Sequence, residues 1–228
     1  MDPALSREDS RTDPTDRAAR TRVRRLPEKQ VSDRAVLDAV LDAARVAHVA
    51  VVDGEGRPYV LPVAQARDGD QVLFHGSTGS RLFRGLAAGA PTCLTVTLVD
   101  GLVAARSTFE SSMHYRSAMV LGAARPVPDE DKPRALHVLT DHLMPGRWAD
   151  ARHPNAKELA ATLVLALPLD EWSVKVSDSP PADEETDLDR QVWAGVVPMR
   201  VSWGDPVDAP DLRGGHPVPD YVRQWTGA

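Results

Sequence analysis

A single cysteine, Cys93, occurs in 228 residues. No internal disulfide can form, and a reducing compartment is the default expectation. Cys93 lies in the apolar run TCLTVTLV, the setting of a buried, inert thiol rather than a nucleophile. No stretch approaches the roughly 20 apolar residues that a membrane-spanning helix needs. The first residues carry no apolar secretory core, so the reading is a cytoplasmic protein with no membrane partner. Also missing are the phosphate-loop pattern GxxxxGK followed by Ser or Thr, a dinucleotide fingerprint, the HExxH zinc helix and the GxSxG elbow. Among the seven histidines, His137 and His142 are five apart on one helical stretch, which gives no metal-ligand spacing. Basic charge is not in excess either. With 27 Lys and Arg against 33 Asp and Glu, the net charge is −6, which argues against a dedicated nucleic-acid binder.

What is present fits one domain with appendages. Residues 1–25 mix both charges with prolines and almost no apolar side chains, and are expected to be a disordered arm. The domain spans residues 26–200, and a proline-rich tail follows over 201–228, expected to lie over a surface. Ser32 opens the helical pattern SDRAVLDAVLDAA, with Val36, Leu37, Val40, Leu41 and Ala44 on one face. Turn signals at Asp53-Gly54-Glu55-Gly56 and Asp68-Gly69-Asp70 separate three β-branched runs, the pattern of an antiparallel meander. SRLFRGLAAG is a short helix closed by Gly89. TCLTVTLVDGLVAARS reads as two strands around Asp100-Gly101, and YRSAMVLGAARPV as a further strand. DEDKPRALHVLTDHL reads as a helix. LAATLVLALPL, WSVKV and VWAGVVPMRVSW read as later strands. The sum is mainly β, a barrel or sandwich with peripheral helices.

Two stretches carry chemistry. In FHGSTGSRLFRGL, Gly76 and Gly79 permit turns, Ser77, Thr78 and Ser80 bring hydroxyls, and Arg81 adds a bidentate cation. A helix starting near Ser80 points free N–H groups at the turn, so the segment can cradle a phosphate or carboxylate. A plain strand–turn–helix with Ser80 as its cap explains the same residues. Alternation along QVLFHG puts Val72 and Phe74 on one face, and Leu73 and His75 on the other. The second stretch, ARSTFESSMHYRS, crowds Arg106, Glu110, His114, Tyr115 and Arg116 between two apolar strands. Glu110 and His114 form an acid/base pair if they face each other; a salt-bridged surface loop is the alternative.

DGDQVLFHGSTGSRLFRGLAAGAP, TVTLVDGLVAARSTF, HYRSAMVLGAARPV, PGRW and WAGVVP together resemble the pyridoxamine 5′-phosphate oxidase-like flavin-binding proteins, near the branch of the nitroimidazole-resistance (Nim) reductases. The likeness runs from about residue 25 to 200. It implies a six-stranded Greek-key split β-barrel that forms a homodimer with FMN between the subunits. It further implies an FMN-dependent oxidoreductase acting on a small organic molecule. Carried over, Ser77, Ser80 and Arg81, with Gly76 beside them, lie at the FMN phosphate, and Arg116 is a second phosphate candidate. Val60 to Val63, including Pro62, run along the flavin ring, and Trp193 covers it from the partner chain. His75 lies by the ring or substrate and, with Glu110 and His114, is a catalytic candidate. The usual family run is close to FHHSMNYRS, whereas this chain reads FESSMHYRS. The change admits a shifted substrate or cofactor. Some split-barrel relatives bind haem, with His75 or His114 then available as an axial ligand. A non-catalytic flavin-binding or sensor protein is the remaining alternative.

Overall fold

The computed structural model describes residues 19–226. Among these residues ten strands form one sheet: β1 (Gln30–Val31), β2 (Val46–Val52), β3 (Pro58–Asp68), β4 (Gln71–Ser77), β5 (Pro91–Ala104), β6 (Ser112–Ala123), β7 (Arg125–Pro126), β8 (Thr162–Pro168), β9 (Trp172–Ser177) and β10 (Gly195–Pro198). Their order is β1-β9-β6-β5-β2-β3-β4-β8-β7, with β10 on β5, and every pairing is antiparallel. This is the split barrel, with its sheet not closed. The count exceeds six partly because the short strands β1, β7 and β10 extend free edges. β2 covers β5 only as far as Thr95, and β10 takes up Gly101 to Ala104 beyond it.

Among the described residues, the helices α1 (Arg34–Ala43), α2 (Arg81–Ala87), α3 (Lys132–Leu143), α4 (Arg147–Asp150), α5 (Ala156–Ala161) and α6 (Asp220–Thr226) decorate the sheet. Asp33, not Ser32, caps α1, its carboxylate accepting from Ala35 N at 2.8 Å. Leu37, Val40 and Leu41 of α1 are fully buried. The core has two parts, one on each face of β4. Val72 and Phe74 face the barrel interior with Val49, Leu94, Val96 and Val120. Leu73 faces outward with Ala66, Val164 and Ala166, where Ala135, Leu136 and Leu139 of α3 cover them. No helix among the described residues is long and apolar enough to cross a membrane.

Three expected elements differ. Asp100-Gly101 is not a turn between two strands. β5 runs continuously for 14 residues, pairing with β6 on both sides of a bulge between Val99 and Gly101. A Cβ at Gly101 would stand 2.9 Å from Val197 O, so glycine lets β10 pair there. LAATLVLALPL begins as α5, because Asn155 and Glu158 close a reciprocal capping box. The strand expected at VWAGVVPMRVSW shrinks to β10, since its partner region on β5 ends at Gly101.

Both ends of the described chain dock on the domain. Residues 1–18 of the arm lie outside the described residues. Beyond them, Arg20 holds the buried carboxylate of Glu171 at 3.0 and 2.5 Å, and Val23 N donates to Gln30 Oε1. In the tail, Trp225 Nε1 donates to Pro145 O and Tyr221 donates to Asp150. The Arg45 guanidinium lies 4.9 Å from the Trp203 ring.

Candidate functional site

The site is built where the sheet splits. β2 and β3 stay paired from Val46–Ala64 to Val52–Pro58, and β4 and β8 from Gln71–Pro168 to Ser77–Thr162. The ladder between β3 and β4, however, stops at Gln65–Phe74. The edge of β3 over residues 58–64 and that of β4 over 75–77 therefore face a wedge with no strand between them. Pro62 is tolerated inside a strand because this flank has no ladder to interrupt. Side chains two apart share a face. Val60 and Pro62 lie on the same outer face as Ala66, and His75 and Ser77 on the same face as Leu73. His48 of β2, opposite Pro62, joins them. The structure thus brings Val60, Pro62, His75 and Ser77 onto one face, and Val60 is 57% exposed.

At the open end of the wedge the chain turns into α2. Ser77 Oγ accepts from Gly79 N at 3.1 Å, and Ser80 caps α2 by accepting from Phe83 N at 3.4 Å. Gly76 has a packing reason. A Cβ there would lie 2.6 Å from Phe83 Cδ2 and Cζ, so glycine lets the Phe83 ring close against the strand. Arg81 lines a cleft of about 430 Å³ together with Ser80 and Tyr59. Its guanidinium has no ion pair among the described residues. The ring of His75 has no hydrogen-bond partner among the described residues. It still reaches solvent, yet the protein packed behind it disfavours the charged form and lowers its pKa.

The second polar stretch comes apart. Arg116 donates to Asp100 at 2.9 and 2.8 Å, and this pairing holds the Asp100 carboxyl below its usual value. His114 Nε2 bonds Ser179 O at 2.8 Å, while Glu110 holds only a backbone bond, its N–H donating to Ser107 Oγ. Glu110 and His114 are therefore not paired. Trp193 is 64% exposed. Its ring lies over Gly195, at the start of β10, opposite Ala104.

Sequence reasoning missed three residues. Asp100 was read as a turn residue, although a carboxylate interrupting an otherwise apolar strand signals a partner. Asp183, 1% exposed, accepts from Arg106 N at 2.6 Å, Ser107 N at 3.3 Å and Arg106 Nη1 at 3.0 Å. It was hidden in an acidic loop with no local pattern. Tyr59, one of only three tyrosines, stood at a strand start with nothing to single it out.

Residues 33–176 match the protein family described as pyridoxamine 5′-phosphate oxidase. Among solved structures, the FAD and heme binding protein from Mycobacterium smegmatis is 46% identical, with a TM-score of 0.84. That match covers 87% of this chain and 97% of the other. The flavocytochrome Anf3 from Azotobacter vinelandii is 38% identical with a TM-score of 0.86, covering 92% and 97%. A putative 5-nitroimidazole antibiotic resistance protein from Bacteroides thetaiotaomicron shares the fold at 23% identity and a TM-score of 0.55, covering 64% and 86%. No curated protein matches the chain.

Proposed function

The chain belongs to the pyridoxamine 5′-phosphate oxidase family, and we propose that it is a flavin- and haem-binding oxidoreductase of the flavocytochrome kind. The observation that carries this reading is the exposed face on which an unpaired strand edge and an imidazole without a hydrogen-bond partner among the described residues lie together. The residues fit a flavin. On that flank Val60 offers a backbone N–H and C=O, and Pro62 a C=O, that no neighbouring strand uses. Arg81 offers an uncompensated guanidinium, and Ser77 and Ser80 stand at the same turn. They also fit a haem. The His75 ring is free of hydrogen bonds and biased toward its neutral form, the form that ligates iron. His114 could offer only Nδ1, because its Nε2 is already held by Ser179 O.

Bound together, a flavin and a haem connect two-electron and one-electron chemistry. This chain's own work is to position them. Arg81 takes phosphate charge, Val60 and Pro62 exclude water from one side of the ring, and His75 presents a lone pair toward that face. Arg116 is neutralised by Asp100, so phosphate anchoring falls to Arg81. The resemblance implies FMN, whereas the 46%-identical relative is described as binding FAD. We assign the broader class, a flavin. A second copy of the chain closes the uncovered face, with its Trp193 over the flavin, and a small organic molecule is the substrate.

The test is an absorption spectrum of protein produced with both cofactors. Flavin bands and a Soret band are expected together. His75→Ala should lose the Soret band and keep the flavin bands, while His114→Ala should keep both. A full Soret band in His75→Ala would remove His75 from the site.

A further inference from the structure

We propose that the cleft between the β2–β3 turn and α2 binds the adenylate half of a dinucleotide, an extension that rests on the flavin reading above. Its volume of about 430 Å³ lies within the range of small-molecule sites. Arg81 enters it without an ion pair. The carboxylate at its lip, Asp53, is already held by Arg57 at 3.0 Å and by the backbone N–H groups of Glu55 and Arg57. The free charge is therefore positive and suits a phosphate. Beyond Arg81 the walls turn apolar and aromatic with Val51, Leu82 and Tyr59. The Tyr59 hydroxyl has no hydrogen-bond partner among the described residues. An exposed aromatic ring beside aliphatic side chains suits a flat base.

Gly85 supplies an independent observation. It lies inside α2, where glycine is less favourable than alanine. A Cβ there would meet no protein atom within 4 Å, so packing does not require glycine. Gly85 lines the cleft, and the space it leaves is space for a ligand. Ser80 and Arg81 border both this cleft and the proposed phosphate turn. A molecule anchored there by phosphate can extend a base and ribose into the cleft. FMN has no such extension, whereas FAD and the nicotinamide dinucleotides share it.

Calorimetric titration of the full chain with FMN, FAD, ADP and NADH tests the assignment. FAD should bind at least tenfold tighter than FMN. Tyr59→Ala and Gly85→Leu should each cut FAD affinity tenfold or more while moving FMN affinity less than twofold. Gly85→Ala should raise the melting temperature of cofactor-free protein yet weaken FAD, two effects of opposite benefit that a purely structural glycine would not give. Equal FAD and FMN affinities, with NADH binding to FMN-loaded protein and lost in Tyr59→Ala, would assign the adenylate to a free dinucleotide instead. Equal flavin affinities with no ADP or NADH binding would overturn the proposal. A wild-type chain that binds neither flavin sinks the flavin reading alone if ADP still binds and Tyr59→Ala abolishes it, and both readings if ADP does not bind.

Discussion

Gly76→Ala probes the joint between β4 and α2 on which the site depends. Gly76 does not have a positive φ, so added backbone strain is not the issue. The whole native-state cost comes from the new methyl against Phe83, whose Cδ2 and Cζ would lie 2.6 Å away. The Phe83 ring is buried and packs on Phe74 with centroids 6.0 Å apart, so it has no open side to move into. Overpacking of this kind costs about 1–3 kcal/mol. The alanine recovers about 0.4–1 kcal/mol by restricting the unfolded chain, and the net cost is about 0–2.6 kcal/mol, with the clash winning over nearly all of that range. At about 2–4 °C per kcal/mol for a chain of this size, a loss of about 1.5 kcal/mol lowers the melting temperature by roughly 3–6 °C. Urea unfolding read by tryptophan fluorescence measures it. The Phe83→Ala background supplies the control, because there the methyl has nothing to strike and its cost should vanish. Flavin affinity should fall in the single variant, since displacing Phe83 moves the helix that carries Arg81. A Gly76→Ala protein as stable as the wild type, or one whose loss persists without Phe83, would refute the reasoning.

Three further outcomes are expected. The pKa of His75 is depressed, so its contribution to stability is present above its unfolded value near 6.5 and is lost as pH falls through the folded value. Urea midpoints of cofactor-free His75→Gln should therefore fall less than wild type between neutral pH and about pH 5; parallel curves would show that the imidazole is not desolvated. The pKa of Glu158 is lowered to about 2 by Arg152 and by the Asn155 N–H. An NMR titration of the Asn155 amide should show a midpoint near that value, and one at the ordinary carboxylate value would contradict the capping box. Asp183→Ala strands two backbone N–H groups and Arg106. Its expected cost is about 2–4 kcal/mol in urea unfolding, and an unchanged midpoint would show that the loop is not anchored there.

Much of the fold was legible because it is written in local periodicity. The QVLFHG alternation divides β4 between two cores, and the glycine-bearing turns delimit β2, β3 and β4. The exceptions involve partners distant in sequence. Asp100-Gly101 has the composition of a hairpin turn, and only the continuous pairing of β5 with β6, plus Arg116 sixteen residues away, makes it a bulge. Asp183 reaches Arg106 across 77 positions, and no window of sequence contains both. For the site, the turn around Ser77, Ser80 and Arg81 is local and was readable. The wedge was not, since it exists because β3 pairs with β2 along one half and β4 along the other.

The departure of FESSMHYRS from the family's run has a structural explanation that narrows the chemistry. Ser111 Oγ donates to Ser107 O and accepts from Ala105 N, which ties the hairpin tip to itself. His114 is held by Ser179 O, and Arg116 by Asp100. Met199 N donates to Asp100 O, so the bulge also fixes the exit of β10. Of the replaced side chains, Ser111 ties the hairpin tip to itself and His114 fastens the hairpin to the segment at Ser179, whereas Arg116, which the family run also has, pairs within the hairpin. The bond from Nε2 to a carbonyl fixes the His114 tautomer and leaves Nδ1 as the nitrogen able to exchange a proton. Within this stretch, the side chain of Glu110 makes no hydrogen bond or ion pair among the described residues. The catalytic candidates therefore divide between two places in the fold, His75 on the open face and Glu110 with His114 on the β5–β6 hairpin.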